Sequence, residues 1–134
     1  MIKSIKKIDL LDEWVRKTGM ALKEVSLRER DLDGNIVFEV IMCDMPFEEL
    51  IYINFKDRNK ESVIYKYCWT REYEWESWAE DKEEECERLV EFYEQIKMLK
   101  TEVPEISIKE YDAIIEICES TIRNGNKLFL MTAY

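Results

Sequence analysis

Asp33-Gly34 lies between two runs of extended-chain residues, and this dipeptide restricts the fold more than any other feature of the 134-residue chain. Leu27-Arg28-Glu29-Arg30 precedes it and Ile36-Val37-Phe38-Glu39-Val40-Ile41-Met42 follows. Asp-Gly supplies the positive φ that a two-residue primed turn needs at both positions, so the pattern predicts a β-hairpin. Counting outward pairs Arg28 with Glu39, Leu27 with Val40 and Val25 with Met42. Opposite charges and apolar pairs fall across from each other, which selects this register over a slip by one residue.

The flanking segments fill in an α+β architecture. Asp9–Thr18 carries Leu10, Leu11, Trp14 and Val15 on one face, with Asp9 as N-cap and Gly19 as a left-handed stop. Leu50–Phe55, after Pro46, and Val63–Trp69, after a polar loop, read as third and fourth strands. Glu80–Lys100 reads as a helix with Cys86, Leu89, Tyr93 and Ile96 inward, Val90, Phe92 and Leu99 widening that stripe, and Glu80, Asp81, Glu83, Glu84 and Glu85 at its positive end. After Pro104, Ser107-Ile108-Lys109-Glu110 has the spacing of a capping box, and Ile106 is placed to staple against Tyr111. The stripe Ile108, Tyr111, Ile115, Cys118, Ile122 follows, and Asn124-Gly125 ends it. Leu128–Met131 reads as a docked strand or extended end. The expectation is one domain over residues 1–134: an N-terminal helix, a four-stranded antiparallel meander, and two C-terminal helices on one face of the sheet.

Composition closes off most chemistry. The chain has no histidine, which removes the commonest general base and metal ligand. Three glycines, at 19, 34 and 125, cannot build a phosphate-cradling loop. Cys43, Cys68, Cys86 and Cys118 are 25, 18 and 32 residues apart, a spacing that suits buried reduced thiols rather than a zinc site or a disulfide framework. No cofactor or metal and no enzymatic activity is expected. The N-terminal residues are charged with no apolar stretch behind them, so neither a signal peptide nor a membrane span is expected, and a cytoplasmic protein is. A net charge of −10 argues against direct contact with nucleic acid or an anionic membrane.

That charge is polarised along the chain. From Glu72 to Glu94 there are eleven acids and two bases, a net of −9 in 23 residues, whereas the first 30 residues are net +3. Immediately before and within the acidic run, Tyr65–Trp78 holds three of the four tryptophans and three of the seven tyrosines. Glu72, Glu74 and Glu76 alternate with Tyr73, Trp75 and Ser77, so an extended chain there puts carboxylates on one side and rings on the other. Rings beside a sheet commonly fill core and charge runs commonly face solvent. The alternative is a partner surface, since Trp and Tyr dominate binding hot spots and an acidic rim accelerates capture of a basic partner. The expected partner-binding residues are Glu72, Glu74, Trp75, Glu76, Trp78, Glu80, Asp81, Glu83 and Glu84.

The function expected is therefore that of a small acidic binding protein. It would occlude the surface of a basic partner protein, such as a nuclease or another nucleic-acid-binding effector. A phage inhibitor of bacterial defence and an immunity protein for a nuclease toxin both have this character. The alternative is a small-molecule sequestering or sensing protein, with a pocket between sheet and helices lined by Tyr65, Tyr67, Trp69 and Tyr93. Arg28, Arg30 and Lys23 can hold an anion or pair with neighbouring acids. An exposed edge strand or the apolar C-terminal segment leaves a homodimer open.

Overall fold

The computed structural model describes residues 5–19, 23–55, 63–67 and 81–133. In chain order these form β1 (Lys6–Asp9), α1 (Leu11–Thr18), β2 (Glu24–Arg30), β3 (Ile36–Cys43), α2 (Asp44–Phe55), a 3₁₀ turn (Val63–Tyr67), β4 (Glu84–Glu85), α3 (Leu89–Lys97), a second 3₁₀ turn (Glu105–Ser107), α4 (Ile108–Asn124) and β5 (Lys127–Ala133). The fold is α+β, as the sequence indicates, but the sheet is not a four-stranded meander. It has five strands in the order β1-β3-β2-β5-β4, with β1 parallel to β3 and the other pairs antiparallel.

The hairpin register holds at every pair named above: Arg28 faces Glu39, Leu27 faces Val40 and Val25 faces Met42. The turn itself is longer than two residues. Arg30 pairs with Ile36 across a bulge, and Asp31 organises the five-residue loop by accepting hydrogen bonds from the Asp33 and Asn35 amides at 3.0 and 2.9 Å. Gly34 takes the positive φ, 87°, while Asp33 does not, so the primed turn is replaced by a glycine-assisted bulged loop.

Alternation along the sheet puts Val25 and Leu27, Phe38, Val40 and Met42, and Leu128 and Leu130 on one face. They share a single core with Phe47, Leu50 and Ile51 of α2, Phe92 and Ile96 of α3, and Ile114, Ile117 and Cys118 of α4. β1 adds Ile8 to that core, and its Lys6 ammonium lies 4.8 Å from the Phe38 ring centroid and 3.4 Å from the Glu116 carboxylate of α4. α1 ends at Gly19 in the left-handed conformation, as expected, with the Gly19 amide donating to the Val15 carbonyl. Asp9 is not its N-cap residue, yet its carboxylate accepts the Leu11 amide at 3.0 Å.

Several elements depart from the sequence expectations. The strand expected over Leu50–Phe55 is the second half of α2, because Phe47, Leu50 and Ile51 bury at helical spacing and Pro46 sits in the first turn, where its missing N–H costs nothing. The strand expected from Val63 is a 3₁₀ turn through Tyr67; residues 68 and 69 lie outside the described residues. The helix expected over Glu80–Lys100 runs only from Leu89 to Lys97; Phe92 and Ile96 are buried within it and Val90 is exposed, while Leu99, just past its end, is also buried. Glu84 and Glu85 form β4 instead of the helix's first turn. Cys43, Cys86 and Cys118 are buried free thiols; Cys68 is outside the described residues. The C-terminal apolar segment is a full strand, β5, paired on both sides.

α4 is also rotated from its expected setting. Of the expected stripe Tyr111 and Cys118 are buried and Ile115 is half-buried, but the core face is wider and centred elsewhere, adding Glu110, Ala113, Ile114, Ile117, Ser120 and Thr121, while Ile108 and Ile122 are exposed. The capping box does not form: a 3₁₀ turn leads into the helix, Ser107 has φ −107° and ψ 9°, and its buried hydroxyl has no hydrogen-bond partner. Ile106 is exposed and does not staple. What orients α4 is Glu29. This fully buried carboxylate on the core face of β2 accepts hydrogen bonds from the Ser120 hydroxyl (2.6 Å), the Asn126 amide (2.7 Å) and the Asn124 amide (3.1 Å).

Two stability experiments follow. Glu29→Ala removes the acceptor of three donors, two of them on α4, leaves the buried Ser120 hydroxyl without it, and lowers unfolding free energy by about 3 kcal/mol in urea denaturation. Glu29→Gln costs less, because the Ser120 hydroxyl can turn to accept from the new amide. Glu110, buried in the first turn of α4 with one oxygen unpartnered, is pushed above the ordinary carboxylate range by that burial. A raised native pKa means its stabilising protonated form prevails below the unfolded pKa, and stability is lost as pH rises through the native value. Glu110→Gln therefore melts higher than the wild type at pH 7, and the difference closes below about pH 4.

Candidate acidic interaction site

The described part of the acidic run is mounted on the edge of the sheet. The Asp81 amide donates to the Thr132 carbonyl at 2.7 Å, Glu84 and Glu85 pair with Leu130 and Phe129, and the Cys86 amide donates to the Leu128 carbonyl at 2.8 Å. Asp81 has φ 57°, the one positive value among the described non-glycine residues, and turns the chain onto β5. Period-two alternation then decides what each acid does. Glu83 and Glu85 point to the face that carries Arg28, Arg30 and Lys127, and Glu84 and Cys86 to the opposite side.

Glu83 is clasped by two arginines of β2. Its Oε1 lies 2.6 Å from Arg28 Nη1 and 2.7 Å from Arg30 Nη2, and its Oε2 lies 2.9 Å from Arg30 Nε. Arg30 Nη1 also donates to the Gly34 carbonyl at 2.6 Å, which ties the hairpin loop into the same network. Arg28 Nε reaches Glu39 at 2.7 Å, and Lys7 of β1 lies 3.7 Å from that same carboxylate. The ladder thus crosses the whole sheet, from β1 through β3 and β2 to the residue before β4. Hydrogen bonds from Arg30 and then Arg28, opposed by partial burial, hold Glu83 below the ordinary carboxylate range. Of the two roles weighed for Arg28 and Arg30, ion pairing is the one seen; Lys23 is held by its backbone amide on Asp44 at 3.1 Å.

The remaining acids are distributed unevenly. Glu85 lies 3.5 Å from Lys127, and Glu91 pairs with Arg88 one turn away. Asp81, Glu87 and Glu94 are exposed. Of the nine residues expected to meet a partner, Asp81, Glu83 and Glu84 follow one another along the β4 edge but are not gathered on one face, since Glu83 turns to the arginines and Glu84 to the opposite side; Glu72, Glu74, Trp75, Glu76, Trp78 and Glu80 lie outside the described residues.

Tyr67 is 1% exposed, packs edge-on against Phe92 at 5.7 Å between centroids, and has its phenol pushed up by burial, with Cys86 beside it. Tyr93 is half-buried against the edge of the same core, and its hydroxyl donates to Glu119 at 2.9 Å; Trp69 is outside the described residues. A depression of about 250 Å³ lies elsewhere, at the hairpin loop, between Arg30, Leu32, Lys127 and Phe129. Among the described residues no group of three or more acids or cysteines is placed to hold a metal ion, and no helix is long and apolar enough to cross a membrane.

The clasp predicts a pH-dependent cost. Glu83→Gln lowers stability by about 1–2 kcal/mol at pH 7, the range for a charge-assisted pair that is partly buried. A depressed native pKa contributes stability above the unfolded value and loses it as pH falls through the native one, so wild type and variant converge in acid denaturation once the pH is below that lowered native value. No protein-family model, curated protein or solved structure matches the chain.

Proposed function

We propose that the protein acts by binding, presenting the acidic, aromatic segment that ends at β4 to a basic partner protein and occluding that partner's surface. The observation that carries this reading is the net charge of −9 confined to residues 72–94, in a chain whose first 30 residues are net +3. The clasp refines the roles. Glu83 spends its charge on Arg28 and Arg30, so it anchors the segment to the sheet more than it projects a field outward. Glu72, Glu74, Trp75, Glu76, Trp78, Glu80 and Asp81 are the residues assigned to the partner, with Glu84 at the rim. The preferred partner is a nucleic-acid-processing enzyme, whose cationic channel a string of carboxylates matches in place of phosphates. An inhibitor of a defence nuclease and an immunity protein for a nuclease toxin use the same chemistry, and the captured partner distinguishes them.

Capture from a host lysate at low and high salt is the test. Surface charges are screened beyond about 8 Å at physiological ionic strength, so a partner held at low salt is released in about 0.5 M NaCl. Against the purified partner, Glu74→Lys, Glu76→Lys and Glu80→Lys combined slow association by about tenfold or more, with a smaller change in dissociation. Capture that ignores both salt and charge reversal overturns the proposal.

A further inference from the structure

Asn124 is followed by Gly125, and the pair closes α4 at the surface: both residues are exposed, and a side chain at position 125 would meet nothing within 4 Å. Asn-Gly is the dipeptide in which a side-chain amide and the next backbone nitrogen react most readily, because glycine puts no side chain in the way. The reacting groups are nonetheless held. Asn124 Nδ2 donates to Glu29 Oε2 at 3.1 Å and to Ser120 Oγ at 3.4 Å, and the Gly125 amide donates to the Ile122 carbonyl at 3.2 Å. Glu29 is fully buried, and Asn126 shares its Oε2 at 2.7 Å. A solvent-facing dipeptide with this chemistry is thus tied to a buried carboxylate at the last turn of a helix, where hydrogen bonds open most often.

We infer that Asn124-Gly125 is a self-modification site, a one-way switch that the Glu29 cluster holds closed. When the last turn of α4 opens, the Gly125 nitrogen attacks Asn124 Cγ. An N–Cγ bond forms and the Cγ–Nδ2 bond breaks. The side-chain nitrogen leaves as ammonia, taking up one proton in place of the one that the Gly125 nitrogen gives up to solvent. Water then opens the cyclic imide at either carbonyl, leaving aspartate or isoaspartate at position 124. Nothing is oxidised or reduced, and water is the sole co-reactant. Neither product restores the closed turn. Aspartate sets a second carboxylate where the amide stood, 3.1 Å from Glu29 Oε2, and offers no donor. Isoaspartate adds a backbone carbon before Gly125, whose left-handed φ of 66° places Asn126 on the same oxygen. Either change loosens the join between α4 and β5, where Arg30 pairs with Lys127 and Glu29 with Leu128.

The test holds the full chain in mildly alkaline buffer, which favours loss of the Gly125 amide proton, and follows conversion residue by residue with peptide mass spectrometry. Asn126 is the internal comparison, since it sits on the same carboxylate but precedes Lys127. Conversion at Asn124 is expected to run about tenfold or more faster than at Asn126. Unfolding the chain in urea adds about another tenfold or more, because opening of the turn no longer limits the reaction. Folded Glu29→Gln lies between these rates, since it weakens the hold on Asn124 without unfolding the chain. For the product, Asn124→Asp lowers the folding equilibrium constant about tenfold more than Asn124→Ser, which loses the amide without adding charge. Conversion at Asn124 no faster than at Asn126 overturns the site. A folded rate equal to the unfolded one, or unmoved by Glu29→Gln, overturns the role of Glu29. Equal stability of Asn124→Asp and Asn124→Ser overturns the switch.

Discussion

The buried carboxylate of Glu29 is the interaction on which the arrangement of this fold depends. It occupies the core face of the central strand, between Phe38 of β3 and Leu128 of β5, where an apolar side chain would be ordinary. Taking a carboxylate out of water costs several kcal/mol unless donors replace the lost hydration. Here the replacements come from Ser120 and Asn124 at the end of α4 and from Asn126 in the turn into β5. One group thereby couples the sheet, the rotation of the longest helix and the entry of the last strand. Gly125, left-handed at the helix C-terminus, lets the chain turn tightly enough to place Asn126.

The opposite face of the same strand solves a different problem. β4 has only two paired residues, too few to define an edge on backbone hydrogen bonds alone. The Arg28 and Arg30 clasp on Glu83 supplies what the short ladder lacks. Because its side chains are roughly one-quarter exposed, the clasp is less screened than a surface pair. The positive excess at the N-terminus and the negative excess after residue 72 are thus partly one structural device. Two of the early bases, Arg28 and Arg30, secure Glu83 of the acidic run to the sheet.

Legibility in the sequence followed how local the deciding physics was. The hairpin register was readable because both faces carry complementary pairs, and the stops at Gly19 and Gly125 because left-handed backbone favours glycine. β5 was readable as an apolar segment after a helix stop. α2 was not, since Leu50-Ile51-Tyr52-Ile53 has strand-like composition and only burial of Phe47, Leu50 and Ile51 together reveals a helix. β4 was hidden because alternating positions there are all glutamate, so period two leaves no apolar trace; the arginines that sort them are more than fifty residues away. β1 is equally obscure: its Lys6 and Lys7 find Phe38, Glu116 and Glu39 only through tertiary contact. At the candidate site, the charge and ring density could be read directly, but the division of labour between Glu83 and its neighbours could not.

The misread face of α4 connects these threads. Apolar periodicity alone selects Ile108, Tyr111, Ile115, Cys118 and Ile122 as the core stripe, the choice that buries the most hydrocarbon. The observed face keeps Tyr111 and Cys118 of that stripe, leaves Ile108 and Ile122 exposed, and buries Glu110, Ser120 and Thr121 with Ala113, Ile114 and Ile117. Thr121 donates to the Ile117 carbonyl and Ser120 to Glu29, whereas Glu110, at the other end of the helix, keeps one oxygen unpartnered. Ser120 and Ile122 are adjacent to Thr121 on opposite sides; a helix that turns Ser120 toward Glu29 must carry Ile122, and with it Ile115 and Ile108, toward solvent. The carboxylate and the helix face are thus matched: the setting of α4 that puts Ser120 against Glu29 also puts Ile114 and Ile117 in the core and leaves Ile108 and Ile122 at the surface.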